Sequence, residues 1–178
     1  MGPQSLLTVL LGLLCCAAVA APGARLGDLT WPDAERLIGD ADAVILPFAA
    51  GAKEHGPHLP MNADEVVMEF LLARAIESQR VIVAPPILHG WFPSFRDFPG
   101  TEVSDPSVFQ QYVFLVAMSL VKQGARRIVF LNTGIIARSS DRRGTFFGLE
   151  DCPGRANPGS YSTSRPQIRQ IATIELAW

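Results

Sequence analysis

Histidine is scarce in this chain, cysteine is no commoner, and runs of one charge are missing. Lysine and arginine number 15 against 17 aspartates and glutamates, a net charge of −2. No basic run stands out, so nothing marks a nucleic-acid or membrane-surface footprint, and no polyanion partner is expected. Of three cysteines, Cys15 and Cys16 lie in an apolar leader-like run, which leaves Cys152. One remaining cysteine excludes an internal disulfide and a cysteine zinc cluster. Stability must come from packing, and 178 residues, 48% of them hydrophobic, suffice for one domain with a sizeable core. A membrane-spanning run is also lacking. Leu6 to Ala21 is almost wholly apolar but shorter than the roughly 20 residues that a span needs. It ends in small residues, and Ala18-Val19-Ala20 fits a cleavage site. Residues 1–20 therefore read as a signal peptide, with export to a periplasm or the medium and no stable membrane insertion after its removal.

Beyond the leader, short apolar runs alternate with longer helical stretches. Trp31-Pro32-Asp33 opens a short helix, with proline where its missing N–H is harmless. Ala43 to Phe48 fits a buried strand. A helix follows over Glu65–Ser78, with Asn62 as its expected cap and Val66, Phe70, Ala73 and Glu77 at helical intervals. Val81 to Ala84 is a second strand, stopped by Pro85-Pro86. The helix predicted over Pro106–Gln123 is capped by Asp105 and ends before Gly124. Its stripe of Phe109, Val113, Val116 and Leu120 should pack on a sheet. Arg127 to Leu131 is a further strand, ending at Asn132. This alternation predicts an α/β fold over 21–137, three layers α/β/α around a mostly parallel sheet. Residues 138–178 read as an irregular tail rich in Arg, Ser, Gly and Pro, with strand-like alternation recovered only from Ile171 to Trp178.

Two of the three histidines, His55 and His58, fall in one loop after the first buried strand, and Asp64 follows at the head of a helix. The carboxyl ends of parallel strands are where α/β folds place ligand sites. Imidazole nitrogen and carboxylate oxygen suit divalent zinc or manganese, and a helix N-terminus keeps Asp64 ionised. The spacing alone fits either a metal loop or a hydrogen-bonded one. Lys53 beside Glu54 reads as a solvated pair.

The stretch Gly51-Ala52-Lys53-Glu54-His55-Gly56-Pro57-His58-Leu59-Pro60, with Asp64 nine residues after His55, resembles the first metal motif of the creatininase family. There the run is Glu-Gln-His-Gly-Pro-His-Leu-Pro. Phe98-Pro99-Gly100-Thr101 after Gly90, and the strand Gly124 to Asn132, are similar to two further family segments. The resemblance covers roughly Leu29 to Ile136. It implies a creatininase-like α/β fold, truncated on its C-terminal side, and a hydrolase of a cyclic or small linear amide. It also implies one or two divalent ions, zinc or manganese, that activate a water and polarise the carbonyl. Under it, His55 is a metal ligand, Asp64 the bridging carboxylate, and Glu54 a ligand if the loop is rebuilt. His58 takes the catalytic place, supports the loop or lines the pocket. His89 is not matched by the resemblance; its place in the loop after the second strand fits either the substrate pocket or a structural or surface role. The aromatic loop Trp91-Phe92-Pro93-Ser94-Phe95 fits a substrate pocket, a contact with a neighbouring subunit or a cap on the core edge. The small-molecule amide is the expected partner, with a homo-oligomer as the expected assembly.

The sequence departs from that pattern at three places. Lys53 stands where the family has its glutamate ligand. Asn132-Thr133-Gly134 carries no histidine where the family has Asn-x-His. The tail offers only Glu150, Asp151 and Glu175 as late carboxylates, and it reads as what a truncated or frameshifted gene would encode. Two readings follow. One is a hydrolase with a reduced site of Glu54, His55 and Asp64. The other is a non-catalytic chain that keeps the fold and has lost the complete metal centre.

Overall fold

The computed structural model describes residues 22–134 and the backbone of strand 170–175. The leader expected over 1–20, and most of the tail expected over 138–178, lie outside the described residues. Within them, no helix is long and apolar enough to cross a membrane.

A short strand β1 (Ala24–Arg25) and a 3₁₀ turn (Leu26–Asp28) lead into α1 (Trp31–Asp40). Then come β2 (Ala43–Phe48), α2 (Ala63–Ser78), β3 (Val81–Val83), α3 (Pro106–Lys122), β4 (Arg127–Asn132) and β5 (Gln170–Glu175). The strands form one five-stranded sheet in the order β1-β3-β2-β4-β5, and every adjacent pair runs parallel. The expected architecture is therefore present. The tail adds a strand to it: β5 pairs with β4 from Arg127↔Gln170 to Asn132↔Glu175.

Period-two alternation in the strands builds the three layers. Val44, Leu46 and Phe48 of β2, Ile82 of β3, and Ile128 and Phe130 of β4 share one core with Ile38 of α1 and with Phe109, Val113, Ala117 and Leu120 of α3. Phe48 stacks on Phe130 at 5.5 Å and meets Phe109 edge-on at 6.1 Å. Ala43 and Ile45, Val81 and Val83, and Leu131 point the other way, onto Met68 and Leu72 of α2. Both faces of β2 are covered, so all six of its residues are buried. That explains why its sequence is an unbroken apolar run rather than an alternating one.

The helix starts are partly as the sequence implies. The Asp105 carboxylate caps α3, accepting from Ser107 N at 2.8 Å and Val108 N at 3.2 Å. The Ser107 hydroxyl, then the Val108 and Ser107 amides, hold that carboxyl below its usual range. Asn62 occupies the cap position of α2, but its side chain makes no capping bond. The stripe expected on α2 is corrected as well. Val66 and Phe70 are exposed, as are Ala73 and Glu77, whereas Asp64, Met68 and Leu72 are buried. Apolar residues almost encircle this helix, so its pattern does not single out the face that meets the sheet.

Candidate functional site

The site lies beyond the carboxyl ends of β2 and β4. After Phe48 the chain continues alongside residues 87–88, with Ala49 N donating to Ile87 O at 3.1 Å and Gly51 N to Leu88 O at 2.9 Å. Two clamps then hold the loop. Lys53 N donates to Met61 O at 3.0 Å, which closes the excursion between them, and Glu102 N donates to Ala52 O at 3.0 Å. Glu54 N donates to Thr101 Oγ1 at 3.2 Å, so the threonine of the Phe-Pro-Gly-Thr segment secures the histidine loop. Gly56 turns the loop at φ +83°, where a side chain would be strained and its Cβ would stand 3.0 Å from His58 Cε1.

Lys53, His55 and Asp64 converge at the centre. Asp64 is the second residue of α2, and its main-chain oxygen accepts from Thr133 Oγ1 at 2.8 Å. Thr133 N in turn donates to Phe48 O at 3.1 Å. One threonine thereby ties the end of β4 to β2 and to the head of α2. Lys53 corrects the expectation of a solvated pair with Glu54, for it is only 1% exposed. Its Nζ lies 2.7 Å from Asp64 Oδ2, as an ion pair without the alignment of a hydrogen bond. It also sits 5.5 Å from the Phe92 ring centre and 5.0 Å from that of Phe95. A buried ammonium needs a counter-charge, and the aromatic faces add cation–π attraction. His55 Nε2 approaches the same Asp64 oxygen at 3.6 Å.

The remaining residues singled out by sequence are distributed around this centre. The Glu54 carboxylate accepts from Gly56 N. Glu54 and His55 line a shallow, open cleft of about 360 Å³, with Leu59, Met61, Phe98 and Pro99 across from them. His58 is exposed on the loop, its ring packed at Gly56. His89 is also exposed and pairs with Glu102 Oε2 at 2.8 Å. Trp91 is half-buried, and Phe95 faces Lys53. None of His89, Trp91 and Phe95 is among the residues lining the cleft. Sequence reasoning placed Phe92 only in an aromatic loop, and it missed the buried role of Lys53 and the parts that Thr133 and Gly134 play beside Asp64. A Cβ at Gly134 would stand 3.4 Å from Asp64 Oδ2, so the position without its histidine borders the same carboxylate.

The donor chemistry can be tested against a divalent ion. His55 Nε2 and Asp64 Oδ2 are buried and have no hydrogen-bond partner; the Lys53 ion pair meets the carboxylate oxygen, whereas an imidazole nitrogen left without a hydrogen bond costs stability. Two ligand atoms each about 2.1 Å from one ion stand roughly 3 to 4 Å apart, and these are 3.6 Å apart. The pair fits two positions around one ion. Among the described residues, no group of three or more His, Cys, Asp or Glu is arranged to hold a metal.

This layout has counterparts among known proteins. The chain is 28% identical over 111 residues to the creatinine amidohydrolase of Pseudomonas putida, which covers 60% of this chain and 43% of that protein. It therefore spans less than half the length of that curated relative. A creatininase variant solved in a zinc–zinc form aligns with TM-score 0.57 and 28% identity, over 62% of this chain and 45% of that one. A manganese form aligns with TM-score 0.52 and 26% identity, over the same shares. The model of the creatininase (creatinine amidohydrolase) family matches residues 27–134, the stretch that carries β2, β3 and β4, the clamped loop and Asp64. A match over more than half the chain settles the ancestry: this protein belongs to the creatininase family.

Proposed function

We propose that the chain is an amidohydrolase of the creatininase type, acting on the C–N bond of a small cyclic or open amide. The observation that carries this reading is the buried pair of His55 Nε2 and Asp64 Oδ2, 3.6 Å apart and neither in a hydrogen bond, with His55 at the edge of an open cleft. The zinc and manganese forms of solved creatininases support a divalent ion here, held by His55 and Asp64. When bound, such an ion supplies a water of lowered pKa and polarises a carbonyl oxygen. The chain's own groups prepare that chemistry. Asp64 stands at the head of α2 with the Lys53 ammonium 2.7 Å from its Oδ2. The Thr101 and Met61 clamps fix the loop that aims His55. Leu59, Met61 and Phe98 offer apolar surface to the flank of a small substrate, and Glu54 presents a carboxylate beside it.

A second reading has its own observation. Lys53 already occupies Asp64, and the described donors number two, which favours a chain that keeps the fold without turnover. One experiment separates the readings. Metal content of the leader-free protein is measured by elemental analysis, with a His55→Ala control, and hydrolysis of creatinine-like cyclic amides and formamides is assayed on the same preparations. About one equivalent of zinc or manganese, lost with His55 together with product release, supports the hydrolase. No turnover of any of these amides under zinc or manganese loading supports the second reading.

A further inference from the structure

Lys53 is the least expected feature of the site. Its side chain is 2% exposed and its ammonium lies 2.7 Å from an Asp64 oxygen, between the rings of Phe92 and Phe95. The same oxygen is the one that faces His55 Nε2. Any divalent ion joining His55 to Asp64 must therefore share its carboxylate oxygen with a fixed positive charge. The two cations would stand within about 5 Å of one another in a water-poor setting, where like charges repel strongly. The lysine cannot easily withdraw, because its stem is enclosed and its ammonium would lose both the carboxylate and the aromatic faces.

We infer that Lys53 is a built-in cation that neutralises Asp64 in the folded chain, limiting the site to at most one weakly held divalent ion. Removing its charge turns the same pocket into a tighter cation site. The inference uses the same His55–Asp64 pair as the proposed hydrolase, but it concerns ion binding and not turnover. A protein without amidase activity can still bear it out, and an active one can still refute it.

The test is calorimetric titration of zinc ion alone into the leader-free wild type, Lys53→Gln, Lys53→Met and Lys53→Arg. The glutamine and methionine variants should bind zinc at least about tenfold more tightly than the wild type, and a further His55→Ala change should abolish the gain. The arginine variant, which keeps the charge, should match the wild type. Equal or weaker zinc binding by the glutamine and methionine variants would overturn the inference. Should they fail to fold, the wild type still decides the matter, because Lys53 and Lys122 are the only lysines in the sequence. With ¹⁵N-labelled lysine, one of two ammonium signals should be shielded from exchange, lose that shielding in Asp64→Asn, and shift as zinc is added. A shielded Lys53 signal that stays put while zinc binds at His55 would refute the shared-carboxylate arrangement.

Discussion

Lys53 and Asp64 meet where water reaches neither freely, with side-chain exposures of 2% and 9%. Burying two opposite charges together returns little net stability, whereas removing one partner leaves the other stranded. Asp64→Ala is accordingly expected to cost about 3–5 kcal/mol, read from urea unfolding monitored by circular dichroism. An effect below about 1 kcal/mol, the range of exposed ion pairs, would mean that the ammonium finds water in solution. Gly134 acts at the same scale. It brings the chain past Asp64 without a side chain, and this is where the sequence most visibly lacks the imidazole of the resembling motif.

At the scale of the element, α2 shows how a helix can be evident while its buried face is not. The sequence places it within two residues of its observed start, because Asn62, Asp64 and Glu65 mark a helix beginning. Its inward face is Met68 and Leu72, while Val66 and Phe70 are 57% and 66% exposed. Met68→Ala should therefore cost about 2–5 kcal/mol, as for a buried large-to-small change. Phe70→Ser should stay within about 0.5 kcal/mol, as for an exposed position. Thermal and urea unfolding of the two variants side by side checks the helix phase, and a reversed order would refute it. α3 behaves otherwise. Phe109, Val113 and Leu120 are buried as their spacing implies, the helix start being fixed by the cap at Asp105, although Val108, Tyr112 and Leu115 leave apolar surface exposed on its other side.

At the scale of the whole molecule, the sheet continues beyond β4 through β5, which contributes six paired positions. A chain ended at Gly134 would leave β4 as an open edge with unpaired N–H and C=O groups, and such edges invite pairing with other chains. That shortened protein is expected to self-associate, measured by size-exclusion chromatography with light scattering against the full chain. A monodisperse shortened form with unchanged unfolding would show that β5 is dispensable. The sequence by itself determined the alternation of strands and helices, the parallel α/β class and the position of the histidine loop. Each of these is written in local periodicity, turn residues and caps within a few positions of one another. Tertiary structure alone decided that Lys53 is buried, that His89 turns outward to Glu102, and which side of α2 meets the sheet. Those outcomes depend on what stands opposite. The rings of Phe92 and Phe95 reach Lys53 from some forty residues away, and no local spacing can report a neighbour that only folding brings near.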